Sequence, residues 1–142
     1  DHRDLHKEYR RQRQMCIRDS NLIVVCVDSS VARMIVHSTD CIWLDLRCRG
    51  DNFMAIDHTV TISDIYKVTD QNQEPGSCQY EGAVDSGNIQ FGFINAASFG
   101  CQWIIQNLRM INMEKNVIIP FPRSESITFG TLGKFEKKMG GY

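Results

Sequence analysis

Between Asn88 and Ile111 the chain changes its hydrophobic period, and that change limits the folds open to it more than any other feature. Up to Ile94 the apolar residues alternate, with Ile89, Phe91 and Phe93 on one side, as in a half-buried strand. Asn95 can cap a helix, and from there Ala96, Gly100, Trp103, Ile104, Leu108 and Ile111 recur at helical spacing. Gln102, Gln106 and Arg109 fall on the wet side of that helix, which is expected to end near Asn112–Asn116.

Upstream, short apolar segments bounded by turn residues read as strands. They are Leu22–Val27, Ala32–His37, Cys41–Arg47, Met54–Ile62, Ile65–Val68 and Cys78–Val84, with Asn88–Ile94 as the seventh. In the third, Ile42, Leu44 and Leu46 share one face and Trp43 and Asp45 the other. Evenly spaced antiparallel strands tend to curl into a barrel or sandwich that hides its edges. The expectation is a mainly β domain, a seven-stranded antiparallel barrel capped by one C-terminal α-helix. Trp103, Phe91, Phe93, Ile62 and Leu108 are its expected core.

A chain of 142 residues suits one domain, and 42% apolar with 23% charged residues is the balance of an ordinary globular protein. No apolar run approaches the ~18 residues that cross a bilayer. The first residues are charged rather than signal-like, so a cytoplasmic protein, peripheral to membranes at most, is expected. The six cysteines include no C-x-x-C pair, and Cys26, Cys41 and Cys101 lie in apolar stretches; reduced, buried thiols and no metal site are expected.

Residues 1–20 differ in style from the rest. Lys7 to Asp19 is strongly basic and lacks either hydrophobic period, and residues 11–19 resemble translated sequencing-adapter read-through. Without this leader, residues 21–142 hold 10 basic and 13 acidic residues, net −3 with His neutral. A body of that sign argues against nucleic-acid binding, which rests on neutralising phosphates. The expected organisation is a non-native leader over 1–20, a domain over 21–113 and a tail or linker over 114–142.

Three passages together resemble the pleckstrin-homology family, especially the variant at the front of phosphoinositide phospholipases C. They are Arg33-Met-Ile-Val-His37 with Ile42-Trp-Leu44, then Thr59 to Val68, and then Asn88 to Leu108 with its Trp103. The resemblance implies a non-catalytic module that targets an intracellular signalling protein to membrane phosphoinositides, with no cofactor. Its ligand site would lie between the first two strands, where clustered phosphates need several cations together. No Lys occupies residues 21–32, so Arg33 leads the candidates, with Arg47, Arg49 and Lys67 as rim cations.

Two other roles fit the same pattern: a protein-interaction module with a protein partner, or the N-terminal fragment of a phospholipase C-like enzyme. A phosphoinositide site predicts a positive mouth at the first two strands, whereas a protein module predicts a neutral mouth with an apolar patch elsewhere. Asp57 with Asp64, or Asp40 with Asp45, could pair for acid/base work, but no nucleophile or oxyanion loop accompanies them, so no catalytic residues are assigned. His37 and His58 are isolated and read as core or surface. Arg49-Gly-Asp51 reads as a turn. Lys134, Lys137 and Lys138 beside Phe135 and Met139 could touch an anionic membrane or form a flexible terminus.

Overall fold

A computed structural model describes residues 22–69 and 76–138; the leader lies outside them. The described residues are mixed α/β, with an open five-stranded sheet and three helices in place of the expected seven-stranded barrel. In chain order the elements are β1 (Leu22–Val25), α1 (Ser30–His37), β2 (Ile42–Arg49), β3 (Asn52–Asp57), α2 (Ile62–Val68), α3 (Gly92–Ile111), β4 (Arg123–Ser126) and β5 (Gly130–Lys134). The strands lie in sequence order across the sheet. β1 and β2 run parallel, joined through α1, and the later pairs are antiparallel.

Two cores follow from strand alternation. Leu44, Leu46, Phe53 and Ala55 face α3 and meet Ala96, Phe99 and Trp103. Trp43, Ile56 and Val25 face the other way and meet Val36 of α1 and Val60 and Ile65 at α2. Fully burying an aliphatic side chain such as Leu44 or Ile56 is worth roughly 1.5–3 kcal/mol. The chain is thus a three-layer stack, with α3 on one face and α1 and α2 on the other.

Four expected strands are not strands. Ala32–His37 lies in α1, because Ser29 accepts a hydrogen bond from Ala32 N at 3.3 Å and starts a helix across the parallel crossover. Ile65–Val68 lies in α2, capped by the Thr61 hydroxyl, which accepts from Asp64 N at 3.3 Å. Ile62 is therefore an exposed helical residue, outside the core. Cys78–Val84 forms irregular chain and turns, and Asn88–Ile94 leads into α3.

The helix starts at Gly92, earlier than Asn95 suggests. Phe91 and Phe93 pack on each other, ring centroids 6.0 Å apart, and stay half exposed instead of entering the core. Leu108 is 44% exposed as well, because the buried side of α3 runs through Gly92, Ala96, Phe99, Gly100, Trp103 and Asn107. Trp103 is fully enclosed.

Residues 114–138 do not behave as a linker. β4 pairs with β3 and β5 with β4, Phe135 packs on the α1/α2 core, and Lys137 bridges back to Val60. Short polar strands such as Arg123–Ser126 lack the apolar alternation by which strands are read, since they complete the sheet through backbone pairing. Among the described residues no cysteine is in a disulfide, but Cys26 and Cys101 are exposed and Cys41 half buried, contrary to the expected burial. Cys16 lies outside the described residues.

Candidate functional site

β1 ends at Val25, opposite Asp45, while β2 runs on to Arg49. Past that point the first-strand side of β2 is open, and the chain turns away through Val27 and Asp28 into α1. The result is a cleft of about 1000 Å³ beyond the carboxyl end of β1. Ligands of open α/β sheets characteristically bind at such strand ends. Arg33, Arg47 and Arg49 all line it, with Asp28, Tyr80, Phe93 and the thiols of Cys26, Cys48 and Cys78.

Arg33 and Arg47 are held from behind by one buried carboxylate. Asp45 is fully enclosed and shares a strand face with Arg47, two residues on. Arg33 reaches it from α1 and also donates to the Val27 carbonyl. His37, one turn after Arg33 on the same helix face, places Nε2 3.1 Å from Asp45 Oδ2. Arg47 donates to the same oxygen from Nε at 3.2 Å and Nη2 at 2.8 Å. Its fork also holds the Val68 carbonyl and the Thr69 hydroxyl, the latter at 2.7 Å, tying the end of α2 to the sheet.

Two guanidinium groups therefore face one carboxylate. Burial alone would raise the Asp45 pKa, but hydrogen bonds from His37 and Arg47 and the charges of both arginines outweigh it and hold the carboxyl below its ordinary value. The Arg33 pKa is lowered too: burial lowers it most, Asp45 and Asp28 oppose that, and the charge of Arg47 adds to the lowering. Arg33 and Arg47 against Asp45 leave one positive charge in excess within the cluster, while Asp28, Glu81 and Asp85 line the same cleft.

Arg49 stands apart from the carboxylate. Its guanidinium lies over the Tyr80 ring, 5.4 Å from the centroid, and its backbone leads into the Gly50–Asp51 turn. Gly50 has φ +61°, and a Cβ there would meet the Tyr80 ring at 2.1 Å, so only glycine permits this approach. Asp51 is engaged with Ser126 Oγ at 2.7 Å and Thr128 N at 3.1 Å, as a turn residue.

Three of the four candidate cations thus share the cleft. Lys67 does not line it; it is exposed and pairs with Asp64 at 2.7 Å. Asp57 and Asp64 serve separate partners, Asp57 accepting from Trp103 and Thr59 and Asp64 from Lys67 and Glu136 N. Asp40 is exposed and Asp45 buried, so they make no pair. Asp45, His37 and Tyr80 are site residues that the sequence reading did not assign. The signal was present for Asp45, whose alternation with Leu44 and Leu46 puts a carboxylate on a face otherwise holding Trp43.

The same end of the sheet carries apolar side chains. Ile127 N donates to the Asp51 carbonyl at 3.1 Å, which brings the β4–β5 turn beside Gly50 and Asp51. On that turn Ile127 is 50% and Phe129 79% exposed. The lysines of the tail lie elsewhere: Lys138 N bonds the Thr59 carbonyl, and Lys137 Nζ lies 5.0 Å from the Phe121 centroid. No helix of the described residues is long and apolar enough to cross a membrane.

In comparisons with known proteins, no family model, no curated protein and no solved structure matches this chain.

Proposed function

We propose that this chain is a non-catalytic module that recognises a phosphorylated headgroup, that of a phosphoinositide, at a cytoplasmic membrane surface. The observation that carries the reading is the convergence of Arg33, Arg47 and Arg49 on one cleft, at the sheet end that also presents Ile127 and Phe129. A phosphate accepts a guanidinium fork bidentately, a part for Arg49, while Arg33 and Arg47, braced on Asp45, contribute charge from behind. Exposed apolar side chains at the same end of the sheet favour a bilayer over free solution, at about 0.8 kcal/mol for each buried methylene.

The reading keeps the ligand chemistry of the pleckstrin-homology resemblance without its barrel, since a parallel strand pair and its crossover helix gather the arginines here. Co-sedimentation of the full chain with phosphatidylcholine vesicles, with and without a phosphoinositide, tests it. Binding is expected only with the phosphoinositide and several-fold weaker in Arg49→Ala, whose side chain does not brace Asp45. Absence of phosphoinositide-dependent sedimentation at moderate salt overturns it.

A second reading, a protein-interaction module, draws on the outer side of α3. Ile94, Ile105 and Leu108 form an exposed stripe there, and the cleft also bears Asp28, Glu81 and Asp85, which balance its three arginines in formal charge. The same vesicle experiment separates the two, because this stripe requires neither phosphate nor Arg49.

A further inference from the structure

Cys48 and Cys78, 30 positions apart in sequence, both line the cleft. Cys48 ends the α3-facing side of β2, packed against the Leu44–Trp103 core. Cys78 belongs to the chain that crosses the β2–β3 turn, anchored where Gly50 N donates to its carbonyl at 2.7 Å. Cys78 is an electrostatic neighbour of the Cys48 thiol, and neither is in a disulfide. Cys78 is exposed and Cys48 half buried, an arrangement of one accessible thiol backed by a sheltered one.

We infer that Cys48 and Cys78 are a redox-linked pair that closes to a disulfide when the protein meets an oxidised low-molecular-weight thiol such as glutathione disulfide. The Cys78 thiolate, its proton released to solvent, attacks one sulfur of the oxidant, forming a mixed disulfide and expelling one glutathione thiolate. Cys48, deprotonated in turn, attacks the Cys78 sulfur, forming the intramolecular bond and expelling the second thiolate. Both thiolates take up the released protons, so two protein thiols are oxidised and one glutathione disulfide is reduced to two glutathiones. Closure brings the two sulfurs to an S–S length of about 2.0 Å, and the Gly50 N to Cys78 carbonyl bond already holds the Cys78 segment against the end of β2. Burial pushes the Cys48 thiol up, and Cys78 adds to the shift, which suits Cys48 to the resolving step rather than the first attack.

The bond would pin the segment carrying Tyr80 to β2, fixing the ring over Arg49 as one wall of the cleft. Cys26 lines the same cleft and is the competing partner. The full-length chain is incubated with glutathione disulfide, its remaining thiols are blocked, and the unreduced digest is mapped by mass spectrometry. A Cys48–Cys78 cross-linked peptide, reversed by dithiothreitol, is the expected product. In Cys48→Ser the mixed disulfide should accumulate on Cys78 instead, and in Cys78→Ser Cys48 should remain a thiol. Linkage through Cys26, glutathione adducts without an internal bond in the unmutated chain, or no reaction would each overturn the inference. The linkage is read by mass, independently of whether the cleft takes a phosphorylated ligand.

Discussion

Trp103 of α3 donates its indole Nε1 to Asp57 Oδ2 of β3 at 3.0 Å, and both side chains are buried. The other Asp57 oxygen takes Thr59 N at 2.9 Å and Thr59 Oγ1 at 2.6 Å, so one carboxylate joins the long helix to the turn that precedes α2. Trp103→Phe keeps an aromatic ring but leaves Oδ2 without its donor. A loss of about 3 kcal/mol is expected, since a buried charged acceptor without a partner costs more than the packing change alone. Urea unfolding with an unchanged m-value measures it, and a loss below about 1 kcal/mol would reduce the bond to a packing contact.

Asp45→Asn removes the buried carboxylate that pairs with both Arg33 and Arg47. Breaking a buried ion cluster from one side costs about 3–5 kcal/mol, because the remaining charges stay enclosed. Inorganic phosphate should then recover part of the melting temperature, and chloride at equal ionic strength should recover less. Equal recovery by both salts would mean that the cleft has no seat for an anion.

His58 packs edge-on against Trp103 with its Nδ1 buried and unpartnered. Burial lowers its pKa most; Asp57 and the Trp43 carbonyl oppose that, and Lys138 and Lys137 reinforce it. The unfolded chain therefore takes up a proton near pH 6.5 that the folded chain resists, so stability falls as pH drops below about 6.5. Asp45, held below the ordinary carboxylate value, keeps its contribution above about pH 4 and loses it only at lower pH. His58→Gln should flatten the stability profile below about pH 6.5, as followed by urea midpoints. A variant with the unchanged slope would assign the acid sensitivity elsewhere.

Gly92 opens α3, and a Cβ there would lie 2.4 Å from the Asn52 carbonyl oxygen and 2.6 Å from that of Gly50. Helix propensity alone would make Gly92→Ala stabilising by up to ~1 kcal/mol. The backbone clash reverses that sign, and a loss of about 1–3 kcal/mol is expected from overpacking. Thermal melting against Gly100→Ala is informative, because the corresponding Cβ there meets only the movable end of Leu46 at 2.7 Å.

What could be read in the sequence was what repeats. The two faces of β2 and the Ala96–Gly100–Trp103 side of α3 follow from residues that alternate or recur by turns. The helices α1 and α2 were hidden because β-branched runs such as Ile35-Val36 and Ile65 with Val68 favour strands locally, while capping by Ser29 and Thr61 and the need to cross between parallel strands decide otherwise. Thr61-Ile-Ser-Asp64 has the spacing of a helix start and was the available clue. Phe91 and Phe93 misled because an alternation of three residues also fits the approach to a helix. In the site, arginines announce themselves by charge, so Arg33, Arg47 and Arg49 were found. Tyr80 and the Cys48–Cys78 pair depend on where Gly50 lets a distant loop settle, which no local pattern encodes.

Ser126 donates its hydroxyl to Asp51, a residue 75 positions earlier, and this contact fastens the last two strands beside β3. Most of both cores is contributed by residues before the end of α3, so β4 and β5 add little apolar burial. Their consequence is protection against self-association. Without them β3 would present a free row of backbone donors and acceptors next to Phe53 and Ala55, a template for another molecule's strand. With them the outermost strand on that side is β5, short, exposed along its length, and bearing Gly130, Gly133 and Lys134. The sheet ends on a strand that offers a neighbouring chain little to grip.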